Sequence, residues 1–501
     1  MINKTHVAAA ALMAQMGVGG AQAQPIDVGA LAKLATIDPR YQSYNVEMVD
    51  VTGGQFWAPY GSPKDQVYAH QPPLDLSNPR LIALARELGP TYMRVSGTWA
   101  NNTYLEGPGE RLSKPPAGFA QVLTRDQWKG VIAFAKAADA KLVTSFAVSN
   151  GVRGPDGVWT SEQAQRRLDL TRELGGSIEA AELFNEPNIP FAGADIPKNY
   201  SAENFGADFR VFRAWAKANV PEMKVLGPGW IGMGTTTKPT FPGLIDPDAL
   251  MKAVQDNVDV VSYHFYGGFS PRCAALKFGQ ANQADALTWN WLDLTVAQYN
   301  IMAAQRDQYQ PGRALMITET AQAACGGSPW ASTFLDSFRY LNQLGVLAQK
   351  GVQAVMHDTL TSSDYALIDG ETLTPRPNYW AAVLWRRTMG RTVLASPASP
   401  SPSLRIYAHC LPEGQGGVGI LALNVGKTAE SVNLGGGGRA WTLTGQPVDT
   451  KTVLVNGKAP GVDASHRLTG LEGVPVAGNV TIPAESITFA AFPAANNPAC
   501  R

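Results

Sequence analysis

At 501 residues the chain is too long for one ordinary core and implies a large barrel or two domains. Hydrophobic residues make up 45% and charged residues only 16%, with 50 Gly and 35 Pro, the balance of a globular, loop-rich protein. The formal net charge of zero argues against a broad surface for nucleic acid or another polyanion.

Residues 1–23 read as a secretory signal, with Lys4 ahead of a modest apolar segment over 7–18 and an Ala21-Gln22-Ala23 cleavage site before Gln24. That segment is too short to span a bilayer, and no later stretch approaches the necessary length. The expectation is a secreted or periplasmic protein with no membrane partner. Residues 24–44 form a leader. From there strands and helices alternate. A strand over 44–49 is followed by a helix opened by Asn78 as cap and Pro79 at the first helical position. The second strand covers 92–95, and Thr124 with Gln127 forms a capping box for the next helix. A strand over 142–148 leads to a helix from Ser161 that stops at Gly175-Gly176. The fourth strand, 178–184, ends at Asn185-Glu186-Pro187-Asn188. Further units follow, with strands at 224–226, 258–265, 314–318 and 354–356 and helices over 201–218, 248–254, 287–306, 331–349 and 379–389. Eight strand–helix units in this order predict an α/β fold, a (β/α)8 TIM barrel over 45–391. The segment 392–403 is rich in Ala, Ser and Pro and reads as a linker. Alternating runs at 404–409, 419–424, 431–434, 440–443 and 486–492 predict a C-terminal antiparallel β-sandwich over 404–501. The glycines 435–438 read as a hairpin turn.

Two glutamates carry the chemistry. Pro187 is expected to hold Glu186 extended at the carboxyl end of the fourth strand, and Glu319 in Met316-Ile317-Thr318-Glu319-Thr320 ends the seventh. In a barrel these two strand ends face each other across the mouth. A carboxyl pair flanking one bond suits glycoside hydrolysis, and a separation of about 5–5.5 Å makes the reaction retaining, with Glu319 as nucleophile and Glu186 as acid/base. Asn185 is placed to hold the sugar 2-hydroxyl. Glu47 and Thr98, at the ends of the first two strands, are within reach of other hydroxyls. The four cysteines suit an oxidising compartment. Three pairings are possible; placement by domain favours Cys273–Cys325 and Cys410–Cys500. The scattered histidines and cysteines offer no zinc spacing, and neither a metal nor another cofactor is expected.

The chain resembles glycoside hydrolase family 79, the heparanase and β-glucuronidase family. The resemblance runs from about Tyr44 to the carboxyl terminus. It rests on the blocks 81–86 and 92–98, on Phe184-Asn185-Glu186-Pro187-Asn188, on Glu319-Thr320 followed by Gly326-Gly327, on Asn378-Tyr379-Trp380 and on 404–410. It implies a retaining barrel with Glu186 as acid/base and Glu319 as nucleophile, and a sandwich to which the leader adds a strand. It places Tyr266 beside the nucleophile and His264 in the pocket wall. Tyr365 and the backbone N–H groups of Gly326 and Gly327 would hold the carboxylate of a uronic acid. Two departures stand out. Ala324 takes the place of a tyrosine that family glucuronidases carry five residues after the nucleophile. The loop 107–120 is short where precursor-processed heparanases have an excised insertion, so a single uncleaved chain is expected. The reading is an exo-acting β-glucuronidase. A neutral-sugar β-glycosidase, an endo-acting heparanase-like enzyme and a non-catalytic carbohydrate-binding protein are the alternatives, and the oligomeric state is open.

Overall fold

The structure, a computed structural model, describes residues 26–63, 66–232, 243–276 and 279–501; the signal segment 1–23 lies outside them. Eight parallel strands close into a barrel: β1 (Gln42–Glu47), β2 (Thr91–Ser96), β3 (Ala140–Ser145), β4 (Ile178–Glu182), β5 (Lys224–Gly232), β6 (Val260–Tyr266), β7 (Ala314–Ala321) and β8 (Ala354–His357). Closure comes from β8 pairing with β1, where Val355, Met356 and His357 lie opposite Gln42, Ser43 and Tyr44. Each strand is followed by a helix: α1 (Pro79–Leu88), α2 (Arg125–Ala137), α3 (Glu162–Glu173), α4 (Ala202–Asn219), α5 (Pro247–Ala253), α6 (Leu294–Tyr309), α7 (Phe334–Gln349) and α8 (Pro377–Thr388). Their starts are written in side chains. Asn78 accepts from the amides of Arg80 and Leu81 with Pro79 at the first position, and Thr124 and Gln127 form a reciprocal capping box. No helix among the described residues is long and apolar enough to cross a membrane.

The carboxyl-terminal strands are β9 (Thr392–Leu394), β10 (Leu404–Cys410), β11 (Val418–Asn424), β12 (Glu430–Thr444), β13 (Leu454–Val455), β14 (Val474–Ile482) and β15 (Ser486–Phe492). They form one antiparallel hydrogen-bonded sheet, and a leader strand, Lys33–Thr36, pairs with its edge at β9. The segment read as a linker therefore opens with a strand. The glycines 435–438 are not a hairpin turn. They sit inside the single long strand β12, where the pairing with β14 jumps from Asn433–Asn479 to Gly437–Ala477. This bulge bends the strand. Val432, Leu434, Val480 and Ile482 then pack over Ile406, Ile420 and Ala422, so the sheet folds on itself like a sandwich around a second core. Cys410–Cys500 ties the chain end to β10.

The sheet packs on the barrel through α7, which is buried on every side from Phe334 to Ala348. Gly345 is required there: a Cβ would lie 2.6 Å from the ring of Tyr407, whose hydroxyl donates to Asn342 Oδ1 at 2.7 Å. The helix read over 287–306 is broken at Asp293 into Trp289–Leu292 and α6. Asp293 instead accepts from Arg405 of β10, fastening the two parts of the molecule.

Candidate active site

The carboxyl ends of the strands open into a cleft of about 1240 Å³, where a barrel places its chemistry. Glu47, Thr98, Glu186, Tyr266, Glu319, Asp358 and Tyr365 line it, with Ala324 and Cys325 on one wall. A hairpin after β1 (Gly54–Trp57 paired with Tyr68–Gln71) supplies Trp57, Tyr68 and His70, and Trp99 packs edge-on against Trp57.

Glu186 lies four residues beyond the end of β4, and its backbone is not extended: φ is +57°. The expectation drawn from Pro187 fails because the turn is held from both sides by buried asparagines. Asn101 brackets Asn185, donating to its carbonyl at 3.0 Å and accepting from its amide at 3.0 Å. Asn188 does the same for Ile231 of β5, at 3.1 and 3.0 Å. These four bonds hold the left-handed residue against its conformational cost, about 1–3 kcal/mol.

Beneath the two glutamates lies a group the sequence reading passed over. Arg94, in the middle of β2 and fully buried, donates to Glu182 through Nε (3.0 Å) and Nη2 (2.8 Å). It also donates to Glu319 Oε2 (2.8 Å), Asn45 Oδ1 (3.0 Å) and Asn185 Oδ1 (2.7 Å). Burial works against its charge, but Glu182 and Glu319 more than compensate and hold the guanidinium protonated. Glu182 is likewise kept below the ordinary carboxylate range: burial opposes this, and Arg94, then His264 and Ser262, overcome it. Because Asn185 gives its oxygen to Arg94, its buried Nδ2 has no partner among the described residues and is left as a donor toward the cleft.

Glu319 sits in β7 and accepts from the Tyr266 hydroxyl at 2.7 Å on its other oxygen. Tyr266 is therefore beside Glu319. His264 is fully buried beneath the carboxylates, not in the cleft wall, with Nδ1 3.1 Å from Glu186 Oε1 and 3.8 Å from Glu319 Oε2. Its Nε2, 3.2 Å from Arg94 Nη2, accepts from the guanidinium when it bears no proton. Burial and Arg94 oppose charge on the ring, while Glu319, Glu182 and Glu186 favour it and push its pKa up to about 9. One oxygen of Glu186, one of Glu319 and a ring nitrogen of His264 all lie within 4.8 Å of one another. Burial and then the charge of Glu319 raise the pKa of Glu186, against the pull of His264 and Arg94.

A second carboxyl cluster adjoins the first. One oxygen each from Glu47, Glu319 and Asp358 lie within 4.8 Å of one another. Asp358, directly after β8, was not singled out from sequence; its Oδ2 is 3.1 Å from the Tyr266 hydroxyl. The Tyr365 hydroxyl also faces Asp358. Gly326 and Gly327 are needed in their turn, with φ of +79° and +78° following Cys325 at +63°. The Gly327 N–H, however, donates to Ala323 at 3.1 Å, which leaves those of Cys325 and Gly326 as candidates for an anion. The loop is braced by Cys273–Cys325 and by Arg272, which donates to the carbonyls of Ala58, Cys325, Gly326 and Gly327 and to Asp364.

No family model matches the chain. Among individual proteins, it is 29% identical to the heparanase of Rattus norvegicus over 385 residues, 67% of this chain and 68% of the relative. It is 26% identical to heparanase-like protein 1 of Arabidopsis thaliana over 71% of this chain and 66% of that one. With a hyaluronoglucuronidase of Hirudo nipponia it shares 23% over 77% of this chain and 83% of the relative. The alignment thus spans about two thirds of the length of the heparanases. Among solved structures, a 4-O-α-L-rhamnosyl-β-D-glucuronidase of Fusarium oxysporum superposes with a TM-score of 0.65 at 13% identity, covering 92% of this chain and 99% of that one. A family 51 arabinofuranosidase of Xanthomonas axonopodis gives 0.61 at 16%, covering 92% and 99%. At such identity these two speak for the fold. With its barrel, its appended sheet and the run of heparanase relatives, the chain is similar to the heparanase and β-glucuronidase family, glycoside hydrolase family 79.

Proposed function

We propose that this protein is a retaining β-glycosidase, with Glu319 as nucleophile and Glu186 as acid/base, acting on β-glucuronides. The observation that carries the mechanism is the approach of the two carboxyls, with oxygens within 4.8 Å. That matches direct attack by a carboxylate, whereas inversion needs about 6.5–9.5 Å to admit a water. Their surroundings divide the labour. Arg94 and Tyr266 each donate to Glu319 and hold it as the anion a nucleophile must be. Glu186, buried beside that anion, keeps its proton more readily and gives it to the glycosidic oxygen. Once the leaving group departs, Glu319 no longer carries the charge. Glu186 is then the easier to keep ionised, as its second role of activating water demands. The Nδ2 of Asn185 is positioned for the sugar 2-hydroxyl.

The glycone follows from the relatives named as heparanases and a hyaluronoglucuronidase. Tyr365 and the amides of Cys325 and Gly326 would hold the sugar carboxylate. Exo action fits a cleft in which Lys114 is the one Lys or Arg among the described lining residues, a poor track for a long polyanion. Two disulfides among the described residues support an exported protein. A neutral-sugar glycosidase is the second reading, favoured by the Ala324 wall. Chromogenic β-glycosides (glucuronide, galacturonide, glucoside, galactoside, xyloside) test the glycone: kcat/KM is expected to be highest for the glucuronide, and a glucoside preference overturns that choice. Proton NMR of the first-formed sugar is expected to show the β-anomer; an α-anomer would overturn retention.

A further inference from the structure

The Tyr266 hydroxyl has one proton and two carboxyl neighbours. The shorter contact, 2.7 Å, goes to Glu319 Oε1, and the longer, 3.1 Å, to Asp358 Oδ2. With both carboxyls ionised, one oxygen pair would face each other without a hydrogen between them, in a site where Asp358 is 1% exposed. Both contacts are favourable only if one of the two carboxyls carries a proton; Glu319 is the one paired with Arg94, so Asp358 is the one that donates to the phenol oxygen and frees the phenol proton for Glu319. We propose that Asp358 is an uncharged positioning residue for the proposed nucleophile, the donor that begins a chain from Asp358 through Tyr266 to Glu319; this rests on the assignment of Glu319 above.

The groups around Asp358 bear this out. Glu47 comes from β1, with Asp50 one turn further on; Tyr266 comes from β6, Glu319 from β7 and Tyr365 from the loop after β8. Arg94 of β2 is the guanidinium that acts on this group, and it is already committed to Glu182 and Glu319. Arg94 and a protonated His264 are two cations and cannot balance Glu47, Glu182, Glu186, Glu319 and Asp358 together. Burial, then the charge of Glu319, drive the Asp358 carboxyl well above the ordinary carboxylate range, against the hydrogen bonds from Tyr365 and Tyr266. Its other oxygen, Oδ1, is buried beside the cleft without a geometric hydrogen-bond partner among the described residues. When Asp358 ionises at high pH, Tyr266 is drawn between two anions and Glu319 loses its donor.

The test uses dinitrophenyl β-glycosides of whichever sugar the enzyme prefers. Their leaving group needs little help from Glu186, so the alkaline fall in kcat/KM reports the nucleophile side. A 2-deoxy-2-fluoro glycoside is first used to label the enzyme: a peptide modified at a residue other than Glu319 refutes the nucleophile assignment and leaves Asp358 a separate question for the pH profiles. Asp358→Asn, whose amide donates at every pH, is expected to recover most of the activity that Asp358→Ala loses, about a hundredfold, and to move the alkaline limb up by at least one pH unit. In a Tyr266→Phe background the same Asn substitution should leave the limb where it is. An Asn variant as dead as the Ala variant while circular dichroism shows it folded, or an unmoved limb, overturns the proposal. A limb moved instead by Glu47→Gln assigns the proton to Glu47 and does the same.

Discussion

Arg94 treats the two glutamates of the site unequally. It donates to Glu319 and Asn185 but makes no hydrogen bond to Glu186, whose carboxyl burial and the neighbouring Glu319 raise above its ordinary range. Arg94→Gln should leave Glu182 and Glu319 buried without their cation, costing about 3–5 kcal/mol of stability and, if the variant folds, turnover by more than about a thousandfold; urea melts and kcat measure the two separately. A variant that melts like wild type would contradict the burial argument. For the glutamates themselves, Glu319→Ala is expected to abolish turnover. Glu186→Ala should spare dinitrophenyl substrates and yield a β-glycosyl azide when azide is added. On substrates with poor leaving groups, wild-type activity should fall as pH rises through the Glu186 pKa. Burial and Glu319 set that fall above the ordinary glutamate range of about 4.3. The glutamates were legible in sequence because each interrupts an apolar strand end. Arg94 carried the same signal, a charge between Met93 and Val95 in an apolar strand. Asp358 was harder to see, since what marks it is Tyr266 and Glu319, distant in the chain.

At the scale of elements, the loops after β6 and β7 act as one piece. Ser270 donates to the Ala324 carbonyl, Ala324 to that of Gly268, and the disulfide Cys273–Cys325 locks the pair. Arg272 donates from its guanidinium to the carbonyls of three consecutive positive-φ residues, Cys325, Gly326 and Gly327. Reduction of Cys273–Cys325, or its Ser/Ser replacement, should raise KM severalfold at a temperature where far-UV circular dichroism is unchanged, because the loop borders the cleft while the barrel core does not depend on it. Loss of activity only together with unfolding would show the bridge to be purely structural. Repeats of strand and helix, and caps such as Asn78 and Thr124, were readable because their rules are local. The bulge at 435–438 was not, since a glycine run looks the same in a turn and in a bent strand until its partner, β14, is known. That partner was itself missed: its pattern is mostly exposed, with Pro475 and Gly478 inside it.

At the scale of the whole molecule, the sheet serves as a second shell behind α7 and α8, and His409 marks the seam. Fully buried in β10, it donates from Nδ1 to the Gly390 carbonyl at 2.7 Å, edge-on to Trp385 of α8 with ring centres 5.2 Å apart. Nε2 is then the bare nitrogen, buried and without an acceptor for a second proton. Burial holds its pKa down to about 4, the Gly390 bond working the other way. In the unfolded chain the same ring titrates near about 6.5. Between those values the unfolded state binds a proton that the folded state refuses. His409 therefore adds stability in full above about pH 6.5, and that stability is lost as pH falls toward 4, a change of about 3 kcal/mol. His357 in β8, held at about 3, acts in the same direction and extends the loss further down. His409→Asn keeps a donor for Gly390 and removes the titration. Its unfolding free energy, from denaturant melts at pH 4 to 7, should vary with pH by about 3 kcal/mol less than that of wild type. An unchanged dependence would mean that the seam opens to water before the protein unfolds, and that barrel and sheet separate as two cooperative units rather than one.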